Sequence, residues 1–168
     1  MPLVDKLKAD FASLNFEPGK VFYWSPKHRT IYFNPTKNDE KSKWTLIHEV
    51  SHAALDHKNY DSDFELLKLE VEAWEKAKSL AKNYNIKIDN EHIQDCLDTY
   101  RDWLHARSKC PACNSRGLQV EPKQYECSQC GSKWQVSLAR FCRPYRRQIT
   151  NKRTANELTV LSERPVFN

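Results

Sequence analysis

What the sequence lacks narrows the class of protein first. No apolar run approaches the ~20 residues that a membrane-spanning helix needs, and the mean hydropathy is −0.80. The opening stretch "MPLVDKLKADF" alternates charged and apolar residues and has no signal-peptide core. There is no internal repeat and no low-complexity segment. These absences argue against a membrane span and a repeat architecture, and we expect a cytoplasmic protein with no membrane partner.

Charge and histidine are distributed unevenly along the 168 residues. Residues 1–107 carry 16 Lys and Arg against 18 Asp and Glu, a net charge of −2, and all six histidines lie there. Residues 108–168 carry 11 basic residues against 4 acidic ones, a net charge of +7. The composition therefore predicts one domain over residues 1–107, followed by a basic module of a different kind.

Four of the six cysteines form two CxxC pairs that are separated by 13 residues. In a chain with no secretion signal, such pairs are typical of metal binding rather than of disulfides; a redox role is the alternative. The spacing predicts a zinc ribbon over residues 108–138, and its zinc is structural because four thiolates leave no open coordination position. The predicted ligands are Cys110, Cys113, Cys127 and Cys130.

The predicted ribbon is followed by a basic tail, residues 139–168. Its segment "RFCRPYRRQITNKR" mixes basic side chains with aromatic ones, which suits contacts with phosphates and stacking on bases. We expect the ribbon and the tail to recruit nucleic acid or a protein substrate. A solvated tail that only keeps the protein in solution is the alternative interpretation.

The stretch "WTLIHEVSHAALDHKNY" contains an HExxH motif within a predicted helix from about Asp39 to His57. His48 and His52 are four residues apart, so both rings project from one helix face and can hold one metal ion. Glu49 lies beside them, where a carboxylate can take the proton from a metal-bound water. The motif predicts a zinc site with Glu49 as the general base.

A catalytic zinc site usually takes a third protein ligand. His57 is the nearest candidate, but it lies five residues beyond His52, and a continuing helix would rotate it away. No glycine turns the chain between the two histidines. We expect His57 to end the helix, where a cationic ring suits the helix dipole.

The next predicted helix, which runs from Ser62 to about Asn83, offers Glu70 and Glu72. At 100° per residue, Glu70 lies near the centre of the apolar face, whereas Glu72 lies on the opposite, polar face. A carboxylate among apolar side chains is costly unless something pairs with it. Glu70 is therefore the predicted third ligand, with a buried salt bridge as the alternative, and Glu72 is a solvated helix residue.

Two short strands, "VFYW" and "TIYFNP", are predicted before the HExxH helix, and a third long helix begins near Asp89. A strand, "NP", a polar linker and "WTLIHEVSHAALDH" in this order resemble the start of the zinc helix in ImmA/IrrE-type metallo-endopeptidases. "EVEAW" is similar to the glutamate-bearing helix of gluzincin peptidases. The likeness covers about residues 1–85 and implies zinc-dependent peptide-bond hydrolysis, with His48, His52 and Glu70 as ligands and Glu49 as base.

The resulting prediction is an α+β protein: a small, mainly helical zincin-like domain with a short N-terminal sheet, then the zinc ribbon. Two zinc ions are expected, one catalytic and one structural. Trp74 departs from the gluzincin pattern, which often has an aspartate there to orient a zinc histidine. A group that stabilises the tetrahedral oxyanion is also expected; the candidates are Tyr60, His28 and His92.

Two alternatives remain open. SprT-like peptidases also join an HExxH helix, similar to "HEVSHAAL", to a zinc ribbon and act near DNA. Their third ligand is usually a histidine near a glycine, whereas the histidines downstream of His57 are His92 and His105, neither in such a context. The other alternative is a non-enzymatic, nucleic-acid-binding or regulatory protein in which the HExxH zinc is structural.

Overall fold

The computed structural model describes residues 2–137 and 145–149. The chain is α+β, as predicted, with four α-helices and two small sheets among these residues. It divides into two compact units, Met1–Asp102 and Trp103–Asn168. The division falls inside the fourth helix of the described residues, ahead of Arg107, where the composition changes. Within the described ranges, no helix combines the length and the apolarity that crossing a bilayer requires.

The helices and strands follow one another along the chain with short connections. Before the cysteines the elements are α1 (Leu3–Asp10), β1 (Asn15–Pro18), β2 (Tyr23–Ser25), β3 (Thr30–Phe33), α2 (Glu40–Ala54), α3 (Asp63–Ala81), a 3-10 turn (Lys82–Tyr84) and α4 (Asn90–Ser108). The strands that follow are β4 (Gly117–Glu121), β5 (Gln124–Cys127), β6 (Lys133–Val136) and β7 (Arg146–Ile149).

The first sheet has the strand order β1-β3-β2. Strand β1 runs parallel to β3, with Phe16 opposite Ile31, and β2 runs antiparallel to β3, with Trp24 opposite Ile31. Strands β2 and β3 match the predicted pair, but β1 was missed. Its sequence "NFEP" has one large apolar side chain and ends in proline, so it carries no alternating pattern. It forms a strand because it pairs with β3, which begins 15 residues further along the chain.

Helix α2 begins with a side-chain cap and ends before His57. Asp39 accepts hydrogen bonds from the backbone N–H of Ser42 at 3.0 Å and from its hydroxyl at 2.6 Å. At the other end, Asp56 has a left-handed backbone with φ 54°, so the chain leaves the helix axis there. The core of the first unit joins α2 to α1, β3, α3 and α4 through buried side chains, among them Leu7, Ile31, Ile47, Val50, Trp74, Ala77, Ile93 and Leu97.

The second unit contains an antiparallel sheet of order β4-β5-β6-β7. Its core stacks Tyr125 on Trp134, with ring centroids 5.6 Å apart. The guanidinium of Arg107, which is 1% exposed, lies 4.4 Å from the ring of Trp103 and 5.7 Å from that of Tyr125. Four residues of the predicted tail form β7, while residues 138–144 and 150–168 lie outside the described residues.

Candidate metal centres

Helices α2 and α3 bring three candidate metal-binding side chains together. The Nε2 atom of His48 lies 3.1 Å from Nε2 of His52 and 3.2 Å from Oε2 of Glu70, and His52 Nε2 lies 3.7 Å from the same Glu70 oxygen. Ligands at about 2.0–2.1 Å from a tetrahedral zinc ion lie about 3.3 Å from one another. Two imidazole nitrogens and one carboxylate oxygen at these separations fit one zinc ion, and the three residues can hold it.

Glu70 lies on the buried face of α3, where its helical position placed it, and it is 6% exposed. Burial raises the pKa of Glu70, but the hydrogen bonds and charges of His48 and His52 outweigh burial and hold the pKa below its usual range. Its ion-pair partners among the described residues are these two histidines, not the lysine or arginine of the salt-bridge alternative. Glu70 is therefore a buried carboxylate that faces two ring nitrogens.

Glu49 is held beside this cluster by the first sheet. The backbone N–H of Trp24, in β2, donates a 2.8 Å hydrogen bond to Oε2 of Glu49. Sequence reasoning placed Glu49 near the metal but missed this anchor, because a backbone donor 25 residues away leaves no trace in the sequence. The carboxylate of the predicted base thus has a fixed orientation.

A cleft of about 290 Å³ opens beside Glu49, His52 and Glu70. Of the three oxyanion candidates, Tyr60 lines this cleft. His28 and His92 are not among its lining residues; the ring of His92 lies against Trp44 and Trp74 instead. The structure adds Tyr100 to the lining, a residue that the sequence offered no reason to select.

The surroundings of His57 were not predicted. It lies beyond the end of α2, and its ring is buried, with His57 8% exposed. Burial lowers the pKa of His57, and the charge of His52 lowers it further. His57 thus follows the end of α2 and lies outside the donor set, as expected, but its burial disfavours the cationic ring that would suit the helix dipole. Instead, its Nδ1 atom lies 2.9 Å from Nδ1 of His52, and its Nε2 atom lies 3.6 Å from Oε2 of Glu72.

Trp74 packs against His48, the first histidine of the HExxH motif. Its ring is stacked on that of His48, with centroids 4.1 Å apart and planes 22° apart. The Nδ1 atom of His48 is buried and has no hydrogen-bond partner among the described residues. Packing against an indole therefore orients this imidazole at the position where the gluzincin pattern often has an aspartate.

The four paired cysteines form a second cluster. Sγ of Cys110 lies 3.7 Å from Sγ of Cys130, and Sγ of Cys113 lies 3.5 Å from Sγ of Cys127. Zinc–sulfur bonds of about 2.3 Å in a tetrahedron separate the sulfurs by about 3.8 Å. Together with the antiparallel sheet, this four-cysteine cluster is consistent with a zinc-ribbon module.

The two CxxC turns repeat one backbone pattern. Cys110 N–H donates to Ser115 O, and Cys127 N–H donates to Ser132 O. Asn114 and Gly131 occupy equivalent left-handed positions, with φ 62° and 68°. Hydrogen bonds from Ser115 lower the pKa of Cys113 to about 6, and those from Ser132 lower the pKa of Cys130. These hydrogen bonds favour the thiolate form, which a metal ion requires, at Cys113 and Cys130. Backbone hydrogen bonds also act to lower the pKa of Cys127, but burial and the neighbouring thiols outweigh them and raise it to about 11.

An HExxH helix whose two histidines meet a glutamate from the next helix is the donor arrangement of zinc-dependent peptidases. Residues 7–142 match the model of a peptidase family described as the IrrE N-terminal-like domain. The chain belongs to this family, as its resemblance to the ImmA/IrrE-type enzymes predicted. Comparison with curated proteins and with solved structures gives no match.

Proposed function

We propose that the protein is a zinc-dependent metallo-endopeptidase that hydrolyses peptide bonds of a protein substrate. One observation carries the proposal: the donor atoms of His48, His52 and Glu70 lie within 3.7 Å of one another, and Glu49 lines the same cleft. Membership of a peptidase family supports it. A metal site beside an open cleft and an oriented carboxylate suits catalysis, whereas a structural zinc site is closed by its ligands.

The residues of the metal site and of the cleft have different roles in the proposed reaction. Zinc held by His48, His52 and Glu70 would supply a Lewis acid that polarises the attacking water and the scissile carbonyl. Glu49 takes the proton from this water and passes it to the leaving amine. The Trp24 N–H that binds Oε2 of Glu49 holds the carboxylate in place for both transfers.

The oxyanion that forms when water attacks the carbonyl needs a donor. Tyr60 is the remaining candidate from the sequence, because it lines the cleft while His28 and His92 do not. Tyr100 is a second phenol on the same cleft. Either hydroxyl can donate a hydrogen bond, and replacing each tyrosine by phenylalanine in turn identifies the residue that the reaction uses.

For the second unit we propose that the ribbon and the basic tail recruit nucleic acid. The described residues 103–137 and 145–149 contain seven Lys and Arg against two Asp and Glu, and Lys133 and Arg147 are exposed on neighbouring strands. Binding to single-stranded nucleic acid is expected to weaken steeply as salt rises, because phosphate contacts release counterions. Absence of binding at low salt would leave recruitment of the protein substrate as the role of this unit.

The two alternative functions are favoured less by the geometry. An SprT-like site usually takes a histidine as third ligand, whereas Glu70 completes the donor set here. A non-enzymatic protein with a structural zinc has no use for a carboxylate held beside an open cleft. Both alternatives would keep the ribbon as a nucleic-acid-binding module.

A comparison of cellular proteomes tests the proposal for a substrate of any sequence. Cells that express the wild type should contain new protein N-termini that are absent from cells expressing Glu49→Gln. The variant should bind the same amount of zinc, since Glu49 is not a ligand. If the two proteomes are identical while both proteins are folded and metal-loaded, the proposed activity is wrong.

A further inference from the structure

Both ring nitrogens of His52 lie close to a neighbouring side chain. Its Nε2 atom faces His48 and Glu70, at 3.1 and 3.7 Å. Its Nδ1 atom points the other way and lies 2.9 Å from Nδ1 of His57. An imidazole that binds a metal through Nε2 carries its proton on Nδ1 and donates it to a neighbouring acceptor. His57 is the group in the acceptor position.

His57 is itself held from three directions. Its backbone N–H donates to the carbonyl of His52 at 3.0 Å, and its own carbonyl accepts the indole N–H of Trp24 at 3.0 Å. On the far side of the ring, Nε2 lies 3.6 Å from Oε2 of Glu72. A carboxylate on that side favours a proton on Nε2 and leaves Nδ1 of His57 free to accept.

We propose that His57 is a positioning residue that fixes the ring orientation and the tautomer of the zinc ligand His52, and that Glu72 fixes His57 in turn. This inference rests on the proposed metal site, which it deepens by naming the group that supports one ligand. The left-handed turn at Asp56 makes the contact available, because it carries the chain off the helix axis and returns the next ring to His52.

The contacts of His57 distinguish this role from that of a metal ligand. One of its ring nitrogens faces the non-metal side of His52, and the other faces Glu72. The two HExxH histidines are thus supported differently, His48 by the stacked ring of Trp74 and His52 by a polar chain. Loss of His57 should weaken the metal site without removing a ligand.

Zinc affinity of the full chain tests the proposal. His57→Phe keeps a ring but removes the acceptor, and we expect zinc affinity at the histidine–glutamate site to fall about 10–100-fold. His57→Asn places an amide oxygen near the position of Nδ1 and should restore most of the affinity. The exposed His28 provides the matched control, since His28→Asn should bind zinc as the wild type does.

Affinity is measured by competition with a chromophoric chelator. Cobalt substitution separates the two sites, because a four-thiolate site gives charge-transfer bands that a histidine–glutamate site lacks. In the same assay Glu72→Gln should lower zinc affinity less than His57→Phe, as Glu72 acts one step further from the metal. Glu75→Gln, an exposed change on the same helix, should have no effect, and all these variants should still bind two metal ions per chain.

Three results would overturn the proposal. The first is wild-type zinc affinity in folded His57→Phe. The second is an equal loss in His57→Asn and His57→Phe, accompanied by an equal loss of stability in the metal-free proteins, which would indicate a purely structural role. The third is complete loss of the metal in His57→Phe, which would make His57 a ligand.

Nitrogen-15 NMR of the zinc-loaded wild type gives a readout that depends on no variant folding. The expected spectrum has the proton of His52 on Nδ1 and that of His57 on Nε2, and the opposite tautomer of His57 would overturn the proposal. Failure of the proposed metal site looks different: the wild type would then bind one metal ion per chain, in the ribbon alone. Failure of the proposed peptidase activity would leave both ions and the two tautomers in place and abolish cleavage only.

Discussion

The indole of Trp74 lies nearly parallel to the imidazole of His48, with the ring centroids 4.1 Å apart and the planes 22° apart. Trp74 is 2% exposed, and His48 is 6% exposed. Because Nδ1 of His48 has no hydrogen-bond partner among the described residues, packing takes the place of the usual polar support for a zinc histidine. The zinc affinity of the site should therefore depend on the shape of the side chain at position 74.

Two substitutions at Trp74 test this dependence. Trp74→Phe keeps an aromatic face against His48, whereas Trp74→Leu removes it and leaves a cavity that should lower the free energy of unfolding by about 2–4 kcal/mol. We expect zinc affinity to fall more in Trp74→Leu than in Trp74→Phe. Urea unfolding and chelator competition measure the two effects, and equal zinc affinity in the two variants would show that stacking is unimportant.

Glu70 should be required for one of two bound metal ions. Glu70→Ala removes a ligand and should lower the zinc content of the purified chain from two ions to one, with the thiolate site unaffected. Glu72→Ala should leave two ions bound at saturating zinc, because Glu72 lies outside the donor set. Elemental analysis by mass spectrometry counts the ions. Loss of an ion in Glu72→Ala rather than in Glu70→Ala would show that the ligand had been assigned to the wrong face of α3.

Gly117 should tolerate no side chain. A Cβ atom at this position of β4 would meet the buried indole of Trp134 and lie 2.7 Å from the carbonyl oxygen of Glu126. Gly117→Ala should therefore destabilise the ribbon by about 1–3 kcal/mol and speed the release of its metal ion. Gly19→Ala is the matched control, because its Cβ would make contacts of 3.6 Å or more. Equal metal release from the two variants would contradict the packing of Gly117 against Trp134.

The local part of the candidate site could be predicted from the sequence. The spacing of His48 and His52 and the position of Glu70 on an apolar helix face depend only on helix geometry, and the structure brings these three residues together. The α+β class followed from the same kind of pattern. The likeness of the HExxH segment to ImmA/IrrE-type enzymes led to the correct family.

The features that the sequence did not predict depend on contacts between segments that are apart in the chain, or on a left-handed backbone conformation. Strand β1 exists because it pairs with β3, and the Trp24 N–H reaches Glu49 because of where that sheet lies. The contact of His57 with His52 was not predicted, because a turn towards the site was expected to need glycine. Asp56 adopts the left-handed conformation instead, which aspartate tolerates better than most residues.

Peptide cleavage by the purified full-length chain tests the central claim most directly. Wild type and Glu49→Gln, each verified to contain two zinc ions, are incubated with a protein-derived peptide library, and new termini are quantified by mass spectrometry over time. The wild type should cleave, lose activity to a chelator and regain it with zinc, while Glu49→Gln should be slower by about 10²–10⁴-fold. Equal rates in the two proteins, or no cleavage by a wild type that holds both ions, would contradict the account.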